Sequence, residues 1–309
     1  MYDIIGDIHG YAAQLKALLE KLGYQEQSEG WSHPERKVIF LGDFVDRGPE
    51  QVEVVEIARG MVDSGNALAV MGNHEFNAVA YATPDPQAPG EYLRPHTPKN
   101  RKQHEDFLAQ VVEGSTLHAD MVAWFRALPL WLDLEGFRVV HACWHEEHMA
   151  TLRPFLGEAD TILPDAWPAL TAEDTTPFEA VEVVLKGLEI PLPDGLFFHD
   201  TDGNKRTNIR TRWWKKSLTF RELAIAPTRV IESIPHEPVP EELVPGYHGD
   251  KPVFVGHYWM RGEPKPMSDK VACMDYSVAG EHGGKLCAYR WDGNAELSAE
   301  RMNWVDRVV

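Results

Sequence analysis

Val38-Ile39-Phe40-Leu41-Gly42-Asp43-Phe44-Val45-Asp46-Arg47-Gly48 carries an apolar run directly into a glycine-bounded cluster of two carboxylates and a guanidinium. A short, uninterrupted apolar run closed by glycine reads as a strand covered on both faces, which places Asp43, Asp46 and Arg47 just beyond its carboxyl end. The pattern repeats on either side. Tyr2 to Ile5 leads into Gly6-Asp7-Ile8-His9-Gly10, and Ala67 to Met71 into Gly72-Asn73-His74-Glu75. Between them, Tyr11 to Leu22 holds Leu15, Leu18, Leu19 and Leu22 at helical spacing, with Gly23 as a stop. A second helix is expected from about Pro49 to Ser64, with Pro49 in its first turn and Gly65 at its end. The stretch is therefore β-α-β-α-β, and open α/β sheets bind ligands where these polar motifs lie.

From Thr83 to Lys99 the prolines Pro84, Pro86, Pro89, Pro95 and Pro98 predict an exposed loop, a flap near the site. Helical segments follow around Lys102 to Glu113 and Leu117 to Ala127. A strand pair, Leu130 to Leu134 and Phe137 to His141, turns at Glu135-Gly136. Residues 150–250 carry one clear helix, Phe178 to Lys186, and long proline-bearing connections, so they read as an insertion or cap within a single domain spanning 1–309. Strand-like runs return at Pro252 to Val255, Val271 to Met274 and Lys285 to Trp291.

A chain of 309 residues with 43% hydrophobic content can bury a substantial core. Thirty basic against 48 acidic residues leave a formal charge of −18, which disfavours adhesion to nucleic acid or anionic membranes, since both need a basic face. The first strand begins at Tyr2 with no leader-like segment ahead of it, and no run approaches a membrane span, so the expected compartment is the cytoplasm. Cys143, Cys273 and Cys287 are odd in number and lack Cys-x-x-Cys spacing. They read as small buried hydrophobes rather than a disulfide framework or zinc ribbon. A Walker-type phosphate loop does not occur, which argues against a kinase.

Asp7 and His9, one residue apart at a strand end, point the same way and can meet one cation. Asp43 leaves the adjacent strand and has two oxygens with which to bridge that cation to a second. Asn73, His141 and His257 would complete the second site. Oxygen and nitrogen donors without thiolate suit Mn, Fe or Zn. Two such divalent or trivalent ions would activate a bridging water or hydroxide and neutralise phosphate oxygens during in-line displacement. The leaving oxygen then needs a proton, for which His74 is placed, with Asp46 fixing its tautomer and Arg47 offering a planar fork to phosphate. Each motif alone is an ordinary turn; jointly, each beyond a strand, they point to a metal-dependent phosphoester hydrolase.

The segments 6–10, 42–48 and 72–75 resemble the phosphoprotein phosphatase family of calcineurin-like metallophosphoesterases. Val139-Val140-His141-Ala142, Val253-Phe254-Val255-Gly256-His257, and the span from Cys273-Met274-Asp275 to Gly283-Gly284-Lys285-Leu286 are similar to its later strands. The resemblance implies an α/β fold, a two-sheet β-sandwich flanked by helices with the metals at one edge. It assigns Asp7, His9 and Asp43 to one ion, Asp43, Asn73, His141 and His257 to the other, and His74, Asp46 and Arg47 to catalysis. There are two departures. Met71 stands where many protein phosphatases of the family carry a second arginine clamp, and the arginine segment usual between the two histidine ligands is not recognisable, residues 150–250 being the only place for it.

Within that stretch, the turn-like Asp202-Gly203-Asn204 precedes Lys205, Arg206, Arg210, Arg212, Lys215 and Lys216 around Trp213-Trp214, a local reversal of charge. Arg206 and Arg210 are the candidates to join Arg47 in binding substrate phosphate. The alternative is a solvated hairpin with its tryptophans turned inward. His145 and His148 miss the His-Glu-x-x-His spacing of zinc proteases, and Glu75 reads as a helix first-turn residue rather than a ligand. Asp275 either orients a ligand or caps a turn. The expected activity is a phosphomonoesterase of the Ser/Thr phosphoprotein phosphatase type; the alternative is a symmetrical dinucleoside tetraphosphate hydrolase. A non-catalytic scaffold of the same fold would be expected to have lost ligands or the His-Asp pair, and all are present.

Overall fold

The computed structural model describes residues 1–307 except 29, 194, 200–204, 217, 227, 281–282 and 294–295, so the Asp202-Gly203-Asn204 turn lies outside the described residues. Strand β1 (Tyr2–Ile5) leads to helix α1 (Ala12–Leu22), which buries Leu15, Leu18, Leu19 and Leu22 and stops where Gly23 adopts a left-handed φ of 93°. A hairpin of β2 (Gln25–Gln27) and β3 (Gly30–Ser32) precedes β4 (Lys37–Phe40), α2 (Gln51–Asp63), β5 (Ala67–Ala69) and α3 (Asn73–Ala82). Next come α4 (Pro98–Val111), α5 (Thr116–Arg126), β6 (Trp131–Asp133), β7 (Arg138–Val140), α6 (Glu146–Leu152), α7 (Trp167–Thr171) and α8 (Thr176–Lys186). Two short antiparallel pairs, β8 (Glu189–Pro191) with β11 (Asn208–Arg210) and β9 (Phe198–His199) with β10 (Lys205–Arg206), are followed by α9 (Phe220–Leu223) and α10 (Thr228–Ile231). The chain closes through β12 (Val253–Val255), β13 (Val271–Cys273), β14 (Asp275–Tyr276), β15 (Lys285–Trp291) and β16 (Met302–Asp306).

Two boundaries differ from expectation. Helix α2 begins at Gln51 rather than Pro49, because Glu50 N–H is committed to the Gly10 carbonyl (2.8 Å) and the preceding residues belong to the turn. Helix α4 begins at Pro98, four residues before Lys102: the Thr97 hydroxyl accepts from Asn100 N–H (3.1 Å), and a proline in the first turn has no N–H to leave unsatisfied.

Strands β1, β4 and β5 run parallel, with Ile5 opposite Phe40 and Phe40 opposite Ala69, and β15 pairs antiparallel with β1, β14 and β16. In the second sheet β7, β12 and β13 are parallel, and β6 pairs antiparallel with β7. Successive side chains on a strand face opposite ways, and that parity sorts the apolar runs into layers. Ile4, Ile39, Val139, Phe254 and Tyr289 fill the core between the sheets. Their neighbours Ile5, Phe40, Val140 and Val255 pack outward in the core that also holds the helices. The result is a two-sheet sandwich flanked by helices.

Residues 150–250 join that outer core through Trp167, Val181, Ile209, Trp213 and Phe220. Trp213 Nε1 donates to the Ala142 carbonyl (3.1 Å), and the Tyr258 hydroxyl donates to the same carbonyl (2.8 Å). This segment is thereby tied beside His141 and His257.

Asp3 is fully buried in β1 and binds Arg36 Nε (2.9 Å), Arg290 Nε (3.0 Å) and the Tyr24 hydroxyl (3.0 Å). Arg36, only 7% exposed, also donates to the Tyr2 and Trp291 carbonyls. Removing one partner of a buried ion pair strands the other. Asp3→Ala is therefore expected to lower stability by about 3–5 kcal/mol, read as a shift of the urea unfolding midpoint.

Candidate active site

The parallel strands of both sheets end at one shared edge. Gly6, Gly42 and Gly72 exit the first sheet there, and His141 and Gly256 exit the second. The two edges are bonded: His257 N–H donates to Asp7 Oδ2 (3.0 Å) and His141 Nδ1 to the Leu41 carbonyl (2.7 Å). Contact this close excludes side chains at the crossing points. A Cβ on Gly256 would stand 2.0 Å from Asp7 Oδ1, and one on Gly72 would stand 2.3 Å from Asp43 Oδ1. Around this joint His9, Asp43, Asp46, Arg47, His257 and Trp259 all hold φ between 50° and 81°, a left-handed backbone that side-chain-bearing residues rarely adopt. Strain concentrated in this way marks functional sites.

Asp43 is the hub. Its Oδ2 lies 3.4 Å from His141 Nε2, 3.7 Å from His9 Nε2 and 3.9 Å from His74 Nε2, while its Oδ1 accepts from His74 N–H (3.0 Å). Asn73 Oδ1 lies 3.1 Å from His141 Nε2 and 2.8 Å from His257 Nδ1. Donor atoms of Asp43, His141 and His257 fall within 4.8 Å of one another, as do those of His9, Asp43 and His74. Asp7 belongs to neither group, although its buried carboxylate and those of Asp275 and Asp43 act on one another.

These residues fit cations. His9 Nδ1 faces the Val45 carbonyl (3.0 Å) and must carry its hydrogen, which leaves Nε2 a bare lone pair; that nitrogen and Asp7 Oδ1 are buried without a partner. His141 likewise spends its Nδ1 hydrogen on Leu41, so its Nε2 lone pair would face the oxygens of Asp43 and Asn73 unless a positive charge lies between them. Titration follows the same demand. Burial works against the charge of Asp43, yet His141 and His74 hold its pKa below the usual range. Burial would depress His141, but the Asp43 carboxylate lifts it to about 10. Burial and neighbouring His74 push His9 down to about 3, leaving a neutral imidazole. A divalent cation satisfies the lone pairs and the carboxylates together.

His74 Nδ1 donates to Asp46 Oδ2 (2.5 Å), so its Nε2 faces the site. Burial opposes its protonation, but Asp43 and Asp46 raise its pKa. Arg47 is exposed and lies over the Trp259 ring, 4.5 Å from its centroid. A cleft of about 1070 Å³ opens here, lined by Asp43, Asn73, His74 and Arg47, and on its far walls by Arg206 and Arg210. Arg212 turns away and donates to the Glu222 carbonyl (3.1 Å). Trp213 and Trp214 pack inward, as the hairpin alternative held.

Glu75 does more than begin a helix. Its buried carboxylate accepts from the N–H groups of Asp43 (2.8 Å), Phe44 (2.8 Å) and Gly72 (3.0 Å), clamping two motif loops together. Asp275 caps a turn, accepting from Trp259 N–H (2.6 Å) and Ser277 N–H (2.9 Å). His145 and His148 lie side by side with ring centroids 4.5 Å apart, and His148 lines the cleft. The three cysteines are buried free thiols, and burial pushes each thiol up.

Sequence reasoning missed Arg94 and His104. Arg94 emerges from the proline-rich stretch onto the cleft wall, where two neutral oxygens hold it, Asn77 Oδ1 (3.0 Å) and Gln103 Oε1 (2.9 Å). The same stretch carries His96, whose ring stacks on Tyr81 (3.8 Å) and Tyr92 (4.0 Å). His104 sits on Asp46 from α4; its place in the apolar stripe with Phe107, Leu108 and Val111 was the legible signal.

A family model described as calcineurin-like phosphoesterase matches residues 2–265, the span that holds every residue of this cluster. This chain is a calcineurin-like phosphoesterase. The two groups of side chains that could hold a metal ion both lie within the matched span. Over 307 residues the phosphoesterase is 26% identical to a symmetrical bis(5'-nucleosyl)-tetraphosphatase of Methylococcus capsulatus, covering 96% of this chain and 93% of the relative. It is 42% identical over 74 residues to an asymmetrical bis(5'-nucleosyl)-tetraphosphatase of Halalkalibacterium halodurans, a match spanning 24% of this chain and only 30% of the relative. A solved protein serine/threonine phosphatase from Saccharomyces cerevisiae aligns with 99% of this chain and 78% of its own at 13% identity, with a TM-score of 0.49. The family is thus shown, whereas the narrower phosphoprotein phosphatase assignment does not follow from these matches.

Asp43→Asn is expected to lose bound metal, measured by elemental analysis of the purified protein. His74→Asn should keep its metal and lose about 10²–10⁴-fold in turnover, the range for a general acid.

Proposed function

We propose that this calcineurin-like phosphoesterase hydrolyses dinucleoside polyphosphates symmetrically, rather than acting as the Ser/Thr phosphomonoesterase its motifs first suggest. One observation carries the reading: arginines from three separate parts of the chain line a single cleft. Arg47 stands at the metal-ligand cluster, Arg94 on the α4 side, and Arg206 and Arg210 on the wall built by residues 150–250. Arg94 is half-buried and burial pushes its pKa down; the side chains that accept from it, Asn77 and Gln103, are neutral, which leaves its charge available to an anion. A clamp arginine at position 71 is absent, and Met71 is fully buried in the core. The full-length likeness to a symmetrical tetraphosphatase supports the same substrate.

Two cations held by Asp7, His9, Asp43, Asn73, His141 and His257 would supply the positive charge that polarises the phosphoryl oxygens and makes water a competent nucleophile near neutral pH. The protein's own groups do the rest. Arg47, Arg94, Arg206 and Arg210 orient the phosphate chain with forked N–H donors. His74 Nε2 gives its proton to the departing oxygen, and Asp46, bound to His74 Nδ1, keeps the ring in the required tautomer and supports its charge. Residues 150–250 act as a cap-like wall. No helix among the described residues is long and apolar enough to cross a membrane, and a cytoplasmic setting suits three free thiols.

Metal-loaded protein should be given a dinucleoside tetraphosphate and a phosphoserine peptide side by side. The expected products are two nucleoside diphosphates, little inorganic phosphate from the peptide, and loss of both activities in a strong chelator. Nucleoside mono- and triphosphate would remove the symmetrical assignment; faster release of phosphate from the peptide would restore the phosphomonoesterase reading.

A further inference from the structure

Asp46 is gripped from two sides. Its Oδ2 accepts from His74 Nδ1 (2.5 Å) and its Oδ1 from His104 Nδ1 (2.7 Å). His104 belongs to α4 and is 5% exposed, with its ring against Phe107 (4.9 Å between centroids) and Tyr81 (5.6 Å). Its Nε2 is buried without a partner. A carboxylate oxygen can only accept, so His104 Nδ1 carries a hydrogen and gives it to Asp46 Oδ1. A histidine placed only for packing would have no reason to spend that hydrogen on this group.

The terminal torsion of an aspartate is broad and roughly two-fold, so one hydrogen bond leaves the carboxylate plane free to turn. A second donor on the other oxygen fixes the plane. Asp46 needs this help because it lies in a left-handed turn with a φ of 66° and its backbone N–H is already committed to Gln51 Oε1 (2.7 Å). With the plane fixed, Oδ2 stays under His74 Nδ1, and His74 Nε2 keeps its aim at the departing oxygen.

We propose that His104 is a positioning residue, one that holds Asp46 so that His74 can serve as proton donor; this rests on the hydrolytic reading above. Its hydrogen bond goes to Asp46, which is not one of the proposed metal ligands. Its effect should therefore scale with how much the leaving group needs a proton.

The test pairs phenyl phosphate with p-nitrophenyl phosphate on the metal-loaded full chain. Phenoxide is about as basic as a tyrosine side chain, near pKa 10, and needs the proton, whereas nitrophenolate departs without it. His104→Phe keeps an aromatic ring and removes the donor. It should lower kcat on phenyl phosphate by about 10–100-fold, as losing an outer-shell partner does, and leave KM and metal content unchanged. On p-nitrophenyl phosphate the loss should be only slight. His104→Asn, which retains an N–H near the position of Nδ1, should recover most of the phenyl phosphate rate. Added to Asp46→Asn, His104→Phe should bring no further loss, since the two groups act as a unit. Equal losses on both substrates, a fall in bound metal, no recovery in His104→Asn, or additive losses with Asp46→Asn would each overturn the proposal. A wild-type protein that hydrolyses no phosphoester would bring down the hydrolytic reading and this inference together; an active one indifferent to His104 would remove this inference alone.

Discussion

The carboxylate of Asp43 stands within 4 Å of the Nε2 atoms of His9, His74 and His141 in a place almost closed to water. A buried anion is tolerable only when it is surrounded by donors or cations. The neighbourhood is organised around that requirement: Glu75 secures the backbone on either side of Asp43, His74 N–H reaches its Oδ1, and Leu41 turns the His141 ring so that Nε2 faces inward. The sequence of strands, turns and helices on the first sheet can be understood as the means of bringing this one group to the edge of the second.

The edge itself works because its crossing points are glycines. Gly72 and Gly256 let carboxylates and backbone approach to distances that even a methyl group would block. Aligned register then does the rest, since β1, β4 and β5 end level with one another and β7, β12 and β13 do the same in the facing sheet. The core between the sheets fixes their separation, and the donor atoms inherit that precision from packing rather than from flexible loops.

The parts of this design visible in sequence were those encoded locally. Gly-Asp-x-His, Gly-Asp and Gly-Asn-His motifs after apolar runs showed which residues meet at the edge, because strand periodicity and a closing glycine are short-range signals. The helix starts at Gln51 and Pro98 were misjudged because Glu50 and Thr97 obey contacts that a linear reading does not display. Arg210, singled out from the basic run, is carried into the cleft by β11, whereas the turn that follows sends Arg212 to Glu222. Arg94 and His104 were overlooked because their partners are distant in sequence: the apolar stripe marks His104 as buried without naming Asp46, and Arg94 meets Asn77 and Gln103 only when α3 and α4 come together. Asp7 shows the converse, a motif residue that lies in the site without joining the tight donor groups.

The stacked rings of Tyr81, His96 and Tyr92 give the Arg94 wall its last property. Aromatic stacking and the hydrogen bond from His96 Nε2 to the Tyr81 carbonyl (2.9 Å) set this proline-rich stretch before any ligand arrives. A rim that is already rigid spares the ligand the entropy of ordering it, and it also sorts molecules by girth. Slender, flexible chains of charge can thread between such walls, whereas a bulky folded surface must present a protruding tip to reach the floor.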